Sequence, residues 1–388
     1  MNAETLTSYC QKFVKIPGAT GQEKEAADFL KNVMEEFDFD EVWSDEWGNV
    51  IGKIIGNGLQ NIVLEGHLDT VGIGDPALWS VGPYDGVVRD GRLYGRGTSD
   101  MRAALMTMVL AAAALIPEKE TLTGNIIVAG IVCEETFEGV AFGEVLDAVR
   151  PDLVILGESS ELRLNRGQRG RAEIQVITQG KSAHSANPAA GINAVKQMML
   201  LCRQIEQLEL PHDELLGPAI LELTDIHSVP YPGKSVIPEK CVVTYDRRVL
   251  PGETEESVLR PIQDIIVRLQ QQDRSFKAKA MIVEAEECCY TGAKIAGKRF
   301  FPAWKFPPDA SFIQTARQAL EKSGMKGEIS HYAFCTDGSQ SAGIRGIPTI
   351  GFGPSRENLA HVVDEYVETE QLVHAYRGYV EILRAVLS

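Results

Sequence analysis

His67 and Asp69 stand two positions apart at the end of an apolar run, "IVLEGHLDTVG" (62–72). Glu134 and Glu135 close a second run, "GNIIVAGIVCEE", and Glu158 sits at the end of a third, "PDLVILGESSE". His361 follows a fourth, "IPTIGFGP", and Asp100 ends the glycine-rich turn "YGRGTSD". Imidazole nitrogen and carboxylate oxygen are the donors that borderline and hard divalent cations take. In α/β sheets ligands gather beyond the carboxyl ends of the strands. Two divalent ions would balance Asp100, Glu135, Glu158 and one hydroxide, so the assembly would tolerate partial burial. Without cations, such clustered carboxylates repel and raise one another's pKa.

Each residue taken alone has an ordinary structural reading. His67 fits a satisfied interior histidine, and Glu134-Glu135 a solvated strand end. Asp100, like Ser99, suits a helix N-cap. "GRGTSD" lacks the GxxxxGK[ST] spacing of a phosphate loop. The metal reading rests on the conjunction at four strand ends.

The elements that must position these groups alternate between helix and strand. "TLTSYCQKFVKI" and "GQEKEAADFLKNVMEEF" carry apolar residues at helical spacing. "MRAALMTMVLAAAAL" is apolar nearly all round, as a sandwiched helix is. Its apolar stretch of 104–116 is too short to span a bilayer. The four runs that end in polar groups are continuously apolar, as strands covered on both faces are. The middle of the chain differs. "RAEIQVITQGKSAHS" (171–185), "CVVTYDRRV" (241–249) and "KAKAMIVEAE" (277–286) alternate, with helical segments at 191–207 and 253–272 between them. That predicts an α/β domain with a mixed, mostly parallel sheet and helices on both faces, 1–170 and 304–388, into which an α+β layer, 171–303, is inserted. Hinges are expected near 165–172 and 298–308, with Gly167 and Gly170 flanking the first.

The chain has 388 residues and a net charge of −16, which excludes the basic face that nucleic acid or an anionic membrane needs. Seven scattered cysteines without a CxxC, and an N-terminus without a signal pattern, predict a reduced cytoplasmic setting.

Beyond these separate readings, "EGHLDTV", "PYDGVVRDGRLYGRGTSDM", "EE", "GESSE", "SAHSANPAAGINA", "DRRVLPGET", "CTDGS" and "GIPTIGFGPSRENLAH" come in one order over nearly the whole chain. Together they resemble the aminoacylase/carboxypeptidase family of dinuclear zinc hydrolases, to which acetylornithine deacetylase and succinyl-diaminopimelate desuccinylase belong. The resemblance implies that His67 and Glu158 bind one metal ion, Glu135 and His361 the other, and that Asp100 bridges them. It implies Asp69 as the support of the His67 ring and Glu134 as general base. The inserted layer would be a lid that also makes a homodimer, with His184 reaching the partner's site to stabilise the oxyanion. Arg248 would hold a substrate carboxylate, and Ser235 and Gly338 would contact substrate. Zinc is the expected ion, with cobalt or manganese suiting the same donors. Three positions depart from the pattern: Gly18 stands where Ser is usual, Arg102 where Lys is, and Ser235 where Asn is.

The function expected is a metal-dependent amide hydrolase on an N-acyl-amino acid or a small peptide with a free carboxylate. A catalytically silent ligand-binding relative and a dipeptidase or carbamoyl-amino-acid hydrolase are the alternatives. A lidless aminopeptidase is disfavoured by the inserted layer.

Overall fold

A computed structural model describes residues 1–388. The chain divides into two compact units, one of 1–168, 286–296 and 304–388, the other of 169–285 and 297–303. The expected lid span of 171–303 is therefore corrected at 286–296, which cluster with the first unit. Alternation reads 277–286 as one strand, but it breaks at Val283 into Ala278–Ile282 and Glu284–Cys288. The latter pairs with Lys294–Lys298 as a hairpin. At its tip Tyr290 donates to the Gly48 carbonyl at 3.0 Å, and Thr291 to that of Glu46 at 2.9 Å.

The first unit is built on a nine-stranded sheet. Strand Gln60–His67 lies at its middle, parallel to Gly124–Ile131 on one side and to Leu153–Leu156 on the other. Thr349–Gly351 runs parallel beyond the latter. These are the four apolar runs, and parallel pairing brings their carboxyl ends to one edge. Val50–Ile54 and Glu41–Ser44 extend the sheet antiparallel. Every residue of 124–131 is buried, so both faces of that strand are covered. Helix Arg102–Ala113 is buried along its whole length, as an all-round apolar pattern requires. It packs on strand 60–67 where Gly66 lacks a side chain; a Cβ there would lie 2.6 Å from Met101 and 3.2 Å from Met108.

The second unit carries an antiparallel sheet in the order Ile220–Val229, Lys240–Val249, Gly170–Gln179, Ala278–Ile282. Helices Ala194–Ile205 and Glu255–Gln272 cover one face, packing Met198, Leu201, Ile262 and Ile265 on Ile174, Val176 and Val243. Gly167 and Gly170, expected at a hinge, lie where main chain passes closely. A Cβ on Gly170 would meet the Phe301 carbonyl at 2.2 Å, and one on Gly167 that of Trp304 at 2.9 Å.

Two of the departures from the family pattern explain each other. The buried Arg102 guanidinium donates to the carbonyls of Leu68 (2.6 Å), Gly18 (2.9 Å) and Ile16. Its planar fork ties the end of strand 60–67 to the loop at 16–18. A Cβ on Gly18 would stand 2.3 Å from Arg102 Nη2, so a larger residue at 18 needs a slimmer cation at 102. Gly18→Ser should therefore cost about 1–3 kcal/mol by overpacking. The same change made on Arg102→Lys should cost clearly less, a coupling readable by urea denaturation of the four proteins of the cycle. Additive losses would separate the two positions.

Candidate metal centre

Strand 60–67 delivers His67 to the sheet edge, where the ring is almost wholly buried. His67 Nε2 lies 2.8 Å from Asp100 Oδ1 and 3.6 Å from Glu158 Oε1. The second oxygen of Asp100 lies 3.0 Å from His361 Nε2, and that same nitrogen is 3.0 Å from Glu135 Oε2. Asp100 thus stands between the two imidazoles, and each imidazole has a glutamate of its own. Donor atoms of His67, Glu134 and Glu158 fall within 4.8 Å of one another, as do those of His67, Asp100 and Glu135. His361 is half exposed while His67, Glu134 and Glu158 are buried, so the cluster is open on the His361 side.

The loops that carry these side chains are held by other buried carboxylates. Glu365 is fully buried, accepts the amides of Ser99 (2.7 Å) and Asp100 (3.1 Å), and pairs with the Arg96 guanidinium at 2.5 Å. Asp69 accepts the amides of Glu134 (3.1 Å) and Glu135 (3.2 Å) on its two oxygens, with the Thr20 hydroxyl at 2.8 Å. Asp69, expected to support the His67 ring, lies beside its Nδ1 mainly through the main chain. His67 Nδ1 lies 2.9 Å from the main-chain oxygen of Asp69 and 3.6 Å from its carboxylate. The carboxylate is turned instead to the loop after strand 124–131, whose amides it gathers.

Burial, followed by neighbouring charge, shifts these groups strongly. Burial pushes the carboxyl of Glu134 well above its ordinary range, and the negative charges of Asp337, Glu158 and Glu135 add to this against the pull of His67. Burial and the charge of Asp100 push Glu158 and Glu135 upward. Hydrogen bonds to Asp100 and Glu135 push His361 up to about 10. Burial opposes charge on His67, but its bond to Asp100 and the charge of Glu134 outweigh it and raise the ring well above its usual value. Asp100, despite burial, is held below the usual range by the two histidines. An excess of carboxylates in a desolvated pocket, partly neutralised by protons on histidine, suits two divalent cations, which would replace those protons.

Sequence reasoning missed Glu65, Asp337, Glu365 and Glu23, all buried beside or behind this cluster. Burial and the charge of Asp337 push Glu65 upward, and burial pushes Asp337 up to about 7. A glutamate inside the run "IVLEGH" was the available signal, since a carboxylate in a covered strand needs a partner. Gly338, expected to meet substrate, is buried; a Cβ there would stand 2.6 Å from Trp304 Nε1 and 2.8 Å from Leu156.

The remaining expected residues belong to the second unit. His184 is exposed, and its Nδ1 accepts the Ala186 amide at 3.0 Å. Ser235 is exposed, and its carbonyl accepts the Ser185 amide at 2.9 Å. Arg248 is part-exposed on strand 240–249, with Nε 2.8 Å from Asp246. Its neighbour Arg247 is instead buried against Glu253 at 2.6 Å.

A model of peptidase family M20/M25/M40 matches residues 63–385. The chain belongs to this family. Escherichia coli (strain K12) protein YgeY, itself uncharacterised, is 32% identical over 97% of this chain and 93% of its own length. Acetylornithine deacetylase of Salmonella arizonae is 27% identical over 81% of this chain and 77% of its own. Among solved structures, aminopeptidase PepT from Bacillus cereus aligns over the full length of both chains with a TM-score of 0.77 at 20% identity. A dinuclear metal-binding M20 peptidase from Bacillus subtilis aligns over 99% of this chain and 98% of its own, with a TM-score of 0.70 at 14% identity. At those identities the two structures speak for the fold alone, second unit included. No helix of this M20 member is long and apolar enough to cross a membrane.

The raised histidines fix the sign of a pH effect. A histidine raised from about 6.5 carries its proton at neutral pH, yet a metal takes only the neutral ring. Zinc added to chelator-treated protein near pH 7.5 should therefore release protons, readable as a dependence of calorimetric heat on buffer ionisation enthalpy. The release should shrink as pH rises past His361's value of about 10. Binding without proton release would put the ion elsewhere.

Proposed function

We propose that this metal-dependent amide hydrolase cleaves an N-acyl-amino acid or a small peptide that carries a free carboxylate. The observation that carries the reading is Asp100 standing between His67 and His361, each with its own glutamate, and Glu134 beside them. We assign His67 and Glu158 to one ion, Glu135 and His361 to the other, and Asp100 to both. Two divalent ions held there, zinc first and cobalt or manganese next, would supply Lewis acidity to a water and to the scissile carbonyl.

Glu134 is the one carboxylate of the group left without a metal to hold. Its burial raises its proton affinity, which suits a general base working near neutral pH. It takes the proton of the attacking water and delivers it to the departing amine, so it ends the cycle as it began. Arg248, on the second unit, offers the forked donor that a substrate carboxylate takes in two hydrogen bonds. Ser235 and the main chain at Gly338 are proposed as further substrate contacts. His184 is proposed as an oxyanion donor supplied by a second copy, which implies a homodimer through the second unit. Seven free cysteines suit a reduced, cytoplasmic setting.

Aminopeptidase activity is the second reading. The inserted unit disfavours only a lidless aminopeptidase; a protein named an aminopeptidase shares this fold along its whole length, inserted unit included. A free-amine requirement separates the two: acylated amino acids should be cleaved under the first reading and refused under the second.

Chelator-treated protein should be inactive on a panel of acyl-amino acids and dipeptides and recover with zinc, cobalt or manganese. Glu134→Gln should lose on the order of 10²–10⁴-fold in kcat. It should still bind two ions by elemental analysis. A variant with near-normal turnover would remove Glu134 from the base role, and no metal-restored cleavage on the panel would sink the hydrolase reading.

A further inference from the structure

The loop that carries Glu134 and Glu135 is held in an uncommon way. Four consecutive amides after strand 124–131 each donate to a side chain from a distant part of the chain. Val132 donates to Asn49 Oδ1 at 3.0 Å, Cys133 to Glu23 Oε1 at 3.2 Å, and Glu134 and Glu135 to the two oxygens of Asp69. Cys133 has φ of +58°, the left-handed region that a residue with a side chain enters at a cost and keeps only when its surroundings over-determine it. Asn49, Glu23 and Asp69 are all fully buried.

Glu23 is the member of this set with no other evident task. It immediately precedes helix Lys24–Glu36, yet its side chain makes no capping bond to that helix. Its Oε1 accepts from the amide of Gly21 at 2.9 Å, the amide of Cys133, and the Cys133 thiol at 3.7 Å. A carboxylate withdrawn from water is costly unless donors replace the water, and here the donors come from the loop of the base.

We propose that Glu23 is a positioning residue for Glu134: its acceptor oxygen holds the Cys133 amide and so fixes the left-handed turn that aims the Glu134 carboxylate into the His67–Glu158 pocket. Asp69 secures the two amides beyond the turn, which leaves the amide of the left-handed residue itself, Cys133, to Glu23. Asn49 secures the amide before it, so Glu23 completes the set at the turn. The role rests on the hydrolase reading above, with Glu134 as base. It involves the main chain of Cys133 alone, so Glu23 needs no contact with substrate or metal. Misplacing a reacting group by about 1 Å costs on the order of 10²-fold in rate, the scale to expect.

Glu23→Leu removes the acceptor and Glu23→Gln keeps it without charge. Glu23→Asp keeps the charge but withdraws the oxygen by one methylene. The metal-loaded proteins are compared for kcat and KM on the best substrate of the panel, for bound metal, and for amide exchange by mass spectrometry over 132–136 against 153–156. Glu23→Leu should lose on the order of 10²-fold in kcat with KM within about twofold and both ions retained. Exchange should rise over 132–136 and not over 153–156, and Glu23→Gln should restore most of both. If the leucine variant does not fold, the order decides: an acceptor role ranks Gln above Asp, a role for charge alone ranks Asp above Gln and overturns the proposal. It is equally overturned if Glu23→Leu keeps wild-type kcat and slow exchange at 132–136. Should the wild type itself cleave nothing after metal is restored, the hydrolase reading falls while the exchange comparison still decides whether Glu23 holds the loop.

Discussion

Buried carboxylates that gather backbone amides are the interaction on which the rest of this centre depends. Glu365 takes the amides of Ser99 and Asp100, Asp69 those of Glu134 and Glu135, and Glu23 that of Cys133. A strand end leaves donors with no ladder partner, and at a covered edge no water is at hand to satisfy them. A carboxylate accepts two or more such bonds at once and is shielded by them. Both loops thereby become rigid just where their side chains must converge, and the donors that stabilise the carboxylate are the ones whose positions matter.

That solution accumulates negative charge, and the chain answers it at several depths. Arg96 neutralises Glu365 directly. Arg102 pairs with no carboxylate and bonds to three carbonyls, but its charge acts on Asp69, Glu23 and Glu365 through the low-dielectric interior. Burial lowers its own pKa to about 10, still well above neutrality. Glu65 and Asp337 have no cation among their main influences besides His67, and burial drives both upward. A carboxyl pair of this kind sheds its repulsion by keeping a proton. The nearest layer, Asp100, Glu135 and Glu158, is the one whose charge metal ions would meet.

Much of the fold was legible because its signals are local. Continuous apolar runs ending in His67, Glu135 and Glu158 are what parallel, doubly covered strands look like, and the all-round apolar helix 102–113 could only be interior. The order of the runs within the sheet was not legible, since it depends on crossover paths. Strand Ile220–Val229 was overlooked because it lies at a sheet edge, mostly exposed, and mixes Thr, Asp and His with its apolar positions. The stretch 286–296 was read as lid because its alternation matches that of the second unit. Its place is decided by Tyr290 and Thr291 reaching the 46–48 turn, far away in sequence. In the centre itself the donor types were legible, while the supports were not. Glu23 and Glu365 look like any acidic residues near a helix or a turn until the fold brings amides to them.

The centre is also asymmetric, and the asymmetry follows from which element brings each histidine. His67 arrives on the middle strand of the sheet and is enclosed with Glu134 and Glu158. His361 arrives on a loop ten residues beyond strand 349–351, itself in the left-handed region at φ +60°, and its ring is half exposed. A rigid, dry position beside the base favours control of proton transfer, because electrostatic effects there are not screened by water. A solvent-facing position favours exchange and access. Asp100, with one oxygen to each histidine, joins the two environments, and the Glu365 grip on its amide keeps that junction in register.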